Sequence, residues 1–107
     1  MTRRPILRRE LADRDIADIV TYYAGEAGLQ VAMRFVDALE GTIGRIGRRP
    51  AIGSLGFADN VRIPGLRCCP VTASPDLVFY VDHGDHVAMW RVLHERRDIP
   101  AALRGDG

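Results

Sequence analysis

The sequence contains no lysine: all fifteen of its basic residues are arginine. Arginine stays protonated in proteins, whereas a buried lysine can lose its proton and act as a base, so lysine-dependent catalysis is excluded. Fourteen acidic residues nearly balance the arginines and leave a formal net charge of +1. General coating of nucleic acid usually needs a strongly basic domain. General coating of nucleic acid is therefore not expected, and no direct sequence-specific binding of nucleic acid is expected either.

Cysteine and long hydrophobic runs are equally scarce. Cys68 and Cys69 are the only two cysteines, and as neighbours in a predicted strand they point to opposite faces, which excludes a structural disulfide and a zinc site. The apolar runs are far too short to span a bilayer. Because the basic start is followed within a few residues by further charges, no signal peptide is expected. A cytoplasmic location follows by default.

The length of 107 residues suits a single domain covering 1-107. Its first half has helical periodicity, because apolar residues recur at spacings of three and four over Ala12 to Tyr23 and again over Ala32 to Ile46. Gly25 and Gly28 mark the turn between these two helices, and Pro50 follows the second. The two segments therefore predict an antiparallel helical hairpin whose apolar face needs a partner layer.

The second half has the signals of short strands joined by tight turns. A loop is predicted first, over Ala51 to Asn60. The predicted class is α+β: an N-terminal strand and an α-helical hairpin packed on a small antiparallel β-sheet, with a short C-terminal helix. The strands are predicted over Pro5 to Arg9, Val61 to Ile63, Leu66 to Thr72, Leu77 to Val81 and His86 to His94, and the closing helix over Pro100 to Leu103.

The closing segment, Trp90 to Ile99, ends an apolar strand in a group of charges. Three explanations are open: a basic surface for a macromolecular target, an acid/base site around His94, or an ion-paired strand end that only holds the fold. Arg91 and Arg97 fit a target contact and a pairing with Glu95 or Asp98 equally well.

Six blocks of this sequence, taken in order, resemble the RelE/ParE superfamily of toxins from type II toxin–antitoxin modules, most closely the ParE branch. Together they cover nearly the whole chain, and the final block is the most specific. The blocks are Ala12-x-x-Asp15-Ile16-x-x-Ile19-x-x-Tyr22, Gly28-x-x-x-Ala32-x-x-Phe35, Pro50-x-x-Gly53, Pro64-Gly65-Leu66-Arg67, Leu77-Val78-Phe79-Tyr80 and Arg91-Val92-Leu93-His94-x-x-Arg97-Asp98-Ile99.

The resemblance implies a toxin that inhibits DNA gyrase by stabilising its DNA-cleaved state, that serves plasmid stabilisation, and that is neutralised by a cognate ParD-like antitoxin. It implies no cofactor. No metal is expected either, because the spacing of Asp82, His83, Asp85 and His86 fits a polar hairpin turn better than a set of metal ligands. Relatives of the RelE type use the same fold to cut mRNA at the ribosome, so the fold alone does not decide between the two activities. On the gyrase interpretation the target-binding residues are Arg91, His94, Arg96 and Arg97.

Cleavage of RNA needs an acid, a base and cations for the charge that builds on the phosphate. The residues available for this alternative are His94, Arg67, Arg91, Arg97 and Tyr80. The lack of lysine counts against it, because RelE-type sites are typically dense in lysine and arginine. A third possibility is an inactive member that only binds its antitoxin.

The hairpin and the sheet should also leave grooves and an open sheet edge, which are suited to an added strand or amphipathic helix from another chain. An antitoxin is the partner that the resemblance implies. The residues expected to contact it are Ile16, Ile19, Tyr23, Arg34, Phe35, Leu39 and Arg45.

Overall fold

The computed structural model describes residues 3–104. A short strand comes first, two long helices follow it, and the second half of the chain supplies three more strands and two short helices. The elements are β1 (Ile6–Arg8), α1 (Glu10–Ala27), α2 (Leu29–Arg48), a 3-10 turn (Pro50–Ile52), α3 (Ala58–Val61), β2 (Leu66–Pro70), β3 (Asp76–Asp82), β4 (Val87–His94) and α4 (Ile99–Arg104).

The sheet has the strand order β1-β4-β3-β2. Its three C-terminal strands are antiparallel neighbours joined by tight turns, as predicted. The N-terminal strand β1 adds to the free edge of β4 in parallel, with Ile6 opposite Val87 and Arg8 opposite Met89. The predicted α+β class is therefore confirmed, and the parallel pairing of β1 makes the complete sheet mixed.

A single residue, Gly28, connects the two long helices. Its φ of +97° lies in the region that glycine adopts at little cost, so the chain reverses direction without a longer loop. Gly25, which the sequence also places at this turn, lies inside α1. None of the helices formed by residues 3–104 combines the length and the hydropathy of a membrane-spanning segment.

Two hydrophobic clusters lie on the two faces of the sheet. The first joins the apolar faces of α1 and α2 to inward side chains of the sheet, with Cys69 among its members. The second lies under α3 and α4 and contains Cys68. Both cysteines are free thiols, and burial raises the pKa of Cys68 to about 11. The predicted division of the two cysteines between opposite faces is confirmed.

The prediction of a strand over Val61 to Ile63 is wrong. Val61 ends the short helix α3 and packs in the second cluster, and Arg62 follows with a φ of +57°. A segment of three residues, apolar at its first and last positions, is too short to distinguish the helical period from the strand period. Packing against the second cluster therefore determines its conformation. The predicted loop before it also contains regular structure, because a 3-10 turn begins at Pro50.

The chain itself occupies the outer edge of β2. Ser54 and Cys68 exchange two backbone hydrogen bonds of 2.8 Å. The Leu66 N–H donates to the Ile63 carbonyl, and Pro70 has no N–H to offer. The chain therefore covers this edge, and the open edge expected from the sequence is restricted to the outer side of β1.

Candidate functional site

The closing strand β4 is held by a carboxylate from α1. The Asp15 carboxylate accepts two hydrogen bonds from Arg91, from Nε at 2.7 Å and from Nη2 at 2.9 Å. It also accepts the Val92 N–H at 3.0 Å. β1 pairs with β4 only as far as Met89. Beyond that point the Asp15 carboxylate, and no longer β1, binds the backbone at this edge of β4.

Arg91 extends this connection to the C-terminal helix. Its Nη1 donates to the Ala102 carbonyl at 3.1 Å, and its side chain and that of Asp15 are almost completely buried. One ion pair therefore links α1, β4 and α4. The sequence suggested Glu95 or Asp98 as the carboxylate for Arg91, but the carboxylate that binds it is Asp15. A charged residue within the apolar stripe of α1 was the one sequence feature that could have indicated this buried pair.

The turn after β4 has the opposite character. His94, Glu95, Arg96 and Arg97 are all exposed. Backbone hydrogen bonds shape the turn, since the Arg97 N–H donates to the His94 carbonyl and the Glu95 N–H to the Pro75 carbonyl. The Arg96 N–H donates to Nδ1 of His94 at 3.0 Å, which places the ring proton of a neutral His94 on Nε2.

Two neighbouring cavities share Tyr23 and Pro75 as lining residues. One, of about 480 Å³, lies on the α1 side and reaches His94. The other, of about 500 Å³, lies on the α2 side and includes Arg34 and Phe35. The exposed turn and the helical hairpin therefore meet at one continuous region of the surface.

Tyr23 is fixed between the cavities by a buried carboxylate. Its hydroxyl donates to Asp76 at 2.7 Å, and the Ser74 hydroxyl donates to the same oxygen at 2.5 Å. Burial, followed by the hydrogen bond to Asp76, raises the pKa of Tyr23. Asp76 pairs with His94 across the strands β3 and β4, so this network supports the wall from which His94 projects.

Tyr80 and Arg67, which belong to the RNA-cleavage alternative, both bind the 3-10 segment. The buried Tyr80 hydroxyl donates to the Pro50 carbonyl at 2.6 Å and accepts the Gly53 N–H at 2.9 Å. A Cβ at Gly53 would lie 2.6 Å from that oxygen, so only glycine fits there. Arg67 donates to the Gly53 carbonyl at 2.8 Å. Burial raises the pKa of Tyr80, so its proton is retained in this structural role.

The residues expected to contact an antitoxin divide into two groups. Ile19, Tyr23, Arg34 and Phe35 line the two cavities. The others line neither cavity: Ile16 packs against the first cluster, and Leu39 is inside that cluster with 2% of its surface exposed. Arg45 lies at the edge of the second cavity, because it donates to the hydroxyl of the lining residue Thr72 at 3.0 Å.

The hairpin between β3 and β4 contains four residues of types that can bind metal ions: Asp82, His83, Asp85 and His86. His83 stacks on His86, and Asp85 accepts a hydrogen bond of 2.8 Å from His86. Asp82 pairs with Arg4 instead. Within residues 3–104, no group of three or more His, Cys, Asp or Glu residues is arranged to hold a metal ion.

Comparison with known proteins identifies the family. The family model of the ParE toxin of the type II toxin–antitoxin system parDE matches residues 6–99. The structure is similar to a chain of the chromosomal ParDE toxin–antitoxin system from P. aeruginosa, with a TM-score of 0.72, 15% sequence identity, and coverage of 85% of this chain and 95% of that one. A search of curated proteins found no match to this sequence. The chain belongs to the ParE toxin family of type II toxin–antitoxin systems, within the RelE/ParE superfamily.

Proposed function

We propose that this ParE-family chain inhibits DNA gyrase by stabilising the DNA-cleaved state of that enzyme, and that a cognate ParD-like antitoxin neutralises it. In this mechanism the chain performs no covalent chemistry. Its free energy of binding is used to trap an intermediate that gyrase itself has made.

The observation that carries the proposal is the exposed turn from His94 to Arg97. Its backbone is fixed by hydrogen bonds to Pro75 and within the turn, while the side chains of Arg96 and Arg97 extend into solvent. No salt bridge of the described residues uses either guanidinium. Because the backbone of the turn is already ordered, binding an anionic or polar target surface requires ordering of the two side chains only.

Arg91 has a different part in the proposed site. Its guanidinium is occupied by Asp15 beneath the turn, so we assign it the role of fixing β4, and we assign target contact to His94, Arg96 and Arg97. The RNA-cleavage alternative would use His94 and Arg97, which are exposed. It would also use Arg91, Arg67 and Tyr80, and each of these three forms hydrogen bonds within the fold. That arrangement favours a binding toxin over a ribonuclease.

The two cavities around Tyr23 support the proposed mode of neutralisation. An amphipathic segment of the antitoxin would place apolar side chains in them, against Ile19 and Phe35, and an acidic side chain at Arg34. Because His94 lines one of these cavities, the same segment would also cover part of the target turn. Neutralisation would then follow from overlap of the two binding surfaces.

A cleavage assay with supercoiled plasmid, purified gyrase and ATP tests the proposed target. We expect linear plasmid to accumulate in the presence of this chain once detergent and protease have released the trapped complex. Addition of the antitoxin in excess should prevent the accumulation. Normal supercoiling with a folded, antitoxin-free sample would reject gyrase as the target, and ribosome-bound mRNA would be the next substrate.

A further inference from the structure

Arginines are concentrated around the C-terminal end of α2. Arg45 and Arg48 lie in its last turn, and Arg49 follows directly. Arg3 packs on the same end, because a Cβ at Gly47 would lie 3.1 Å from its Cγ. Arg67 reaches the next segment and donates to the Ala51 and Gly53 carbonyls. These five residues are called the arginine end: Arg3, Arg45, Arg48, Arg49 and Arg67.

The arginine end carries uncompensated positive charge. The salt bridges found among residues 3–104 use four other arginines and His86, and none of these five. Arg45 donates to the hydroxyls of Thr42 and Thr72, and Arg67 to carbonyls, so neither forms an ion pair; the charge of Arg67 acts on the Asp82 carboxylate only at longer range. The helix dipole favours cations at this position.

The acidic residues are distributed differently. Asp37 and Glu40 lie earlier in α2, and residues 41–58, which include the end of that helix, contain three arginines and no acidic residue. A formal net charge of +1 therefore conceals a strong local excess at the end of α2. The overall balance, which argued against general coating of nucleic acid, does not describe this surface.

We propose that the arginine end binds the phosphate backbone of duplex DNA without sequence preference. Guanidinium groups match phosphate oxygens with paired hydrogen bonds. An acidic peptide would need apolar pockets for its apolar side chains. The two cavities around Tyr23 are apolar, but none of the five arginines lines either of them. Binding of DNA by the arginine end does not depend on the proposed function. A role for that binding in trapping gyrase does rest on the proposed function, since gyrase holds the DNA that it cleaves.

Fluorescence anisotropy of a labelled duplex, without gyrase or antitoxin, tests the contact. The duplex would have about 30 base pairs and the salt concentration would run from about 50 to about 200 mM. We expect the logarithm of the association constant to fall linearly with the logarithm of salt concentration. With a slope of about −0.9 per phosphate, three to five arginine contacts predict a slope of about −3 to −5.

A matched pair of variants separates local from overall charge. The double variant Arg48→Glu and Arg49→Glu should lower the affinity at least about ten-fold and reduce the magnitude of the slope by about 2. The control, Arg62→Glu and Arg104→Glu, makes the same change in net charge at two exposed sites beside α3 and α4, on the face of the sheet opposite to α2. It should stay within about two-fold of the original protein. Circular dichroism would verify that both variants are folded.

Three results would overturn the proposal. These are absence of salt-dependent binding to the duplex, an equal loss of affinity in the control variant, and binding of polyglutamate as tight as that of DNA, which would assign the surface to an acidic protein partner. Gyrase is absent from the assay, so such a failure leaves the gyrase proposal standing. Conversely, a negative plasmid-cleavage assay would leave the measured DNA affinity unchanged.

Discussion

Arg91 and Arg97 belong to the same closing segment of the sequence, yet they have opposite environments. Arg91 is 7% exposed and is held by the carboxylate of Asp15, whereas Arg97 is exposed on the turn that follows. The difference arises from a partner 76 residues away in the chain. One arginine therefore belongs to the framework and the other is available for binding, although the local sequence treats them alike.

The largest effect should come from removing the carboxylate beneath Arg91. Asp15→Ala would leave a buried guanidinium and the Val92 N–H without their acceptor, and should lower the free energy of unfolding by about 3–5 kcal/mol. Urea denaturation followed by circular dichroism measures it. The control Asp18→Ala, at an exposed position one turn further along α1, should stay within about 0.5 kcal/mol. Similar losses in both variants would contradict the framework role.

A smaller loss should follow when both buried charges are removed together. Asp15→Asn with Arg91→Met keeps an acceptor for the Val92 N–H, so the double variant should lose only about 1–3 kcal/mol and remain more stable than Asp15→Ala. The plasmid-cleavage assay is the second measurement. A stable double variant that no longer traps gyrase would show that Arg91 contacts the target after all.

The hydroxyl of Tyr23 should contribute less again. Tyr23→Phe removes one of the donors to the buried Asp76 carboxylate and leaves Ser74 in place, so we expect a loss of about 1–3 kcal/mol in the free energy of unfolding. Tyr22→Phe is the matched control on the exposed neighbour. If the two substitutions proved equivalent in denaturation, the network behind His94 would have no role in stability.

The smallest change in stability should accompany the largest change in activity. Arg96→Ala with Arg97→Ala alters only exposed side chains, so the free energy of unfolding should move by less than about 0.5 kcal/mol. Linear plasmid in the gyrase assay should fall at least about ten-fold. Arg104→Ala serves as an exposed control. Full activity of the double variant would remove the turn from the proposed target surface.

The parts of the fold that depend on local periodicity were predictable from the sequence. Both long helices were placed correctly, although they extend several residues beyond the predicted ends, to Glu10 and Ala27 for α1 and to Leu29 and Arg48 for α2. The parallel position of β1 was not predicted, because pairing with β4 joins opposite ends of the chain. Local patterns carry no information on such a contact.

The candidate site shows the same division. The sequence placed His94, Arg96 and Arg97 together, because a strand end followed by charged residues is a local signal. The sequence did not reveal the link between Gly53 and Tyr80, which is a hydrogen bond from the glycine N–H to the buried hydroxyl. Their motifs are visible separately, and only the tertiary contact explains why both residue types are needed.

The closed edge of β2 has a consequence for the life of the free chain. Sheets with unpaired backbone edges recruit other strands and form aggregates. Here Ser54 occupies one edge, and β1, with three residues, leaves only a short edge on the other side. The sheet therefore offers little unpaired backbone, and polymerisation of the free chain by strand addition at its edges is disfavoured.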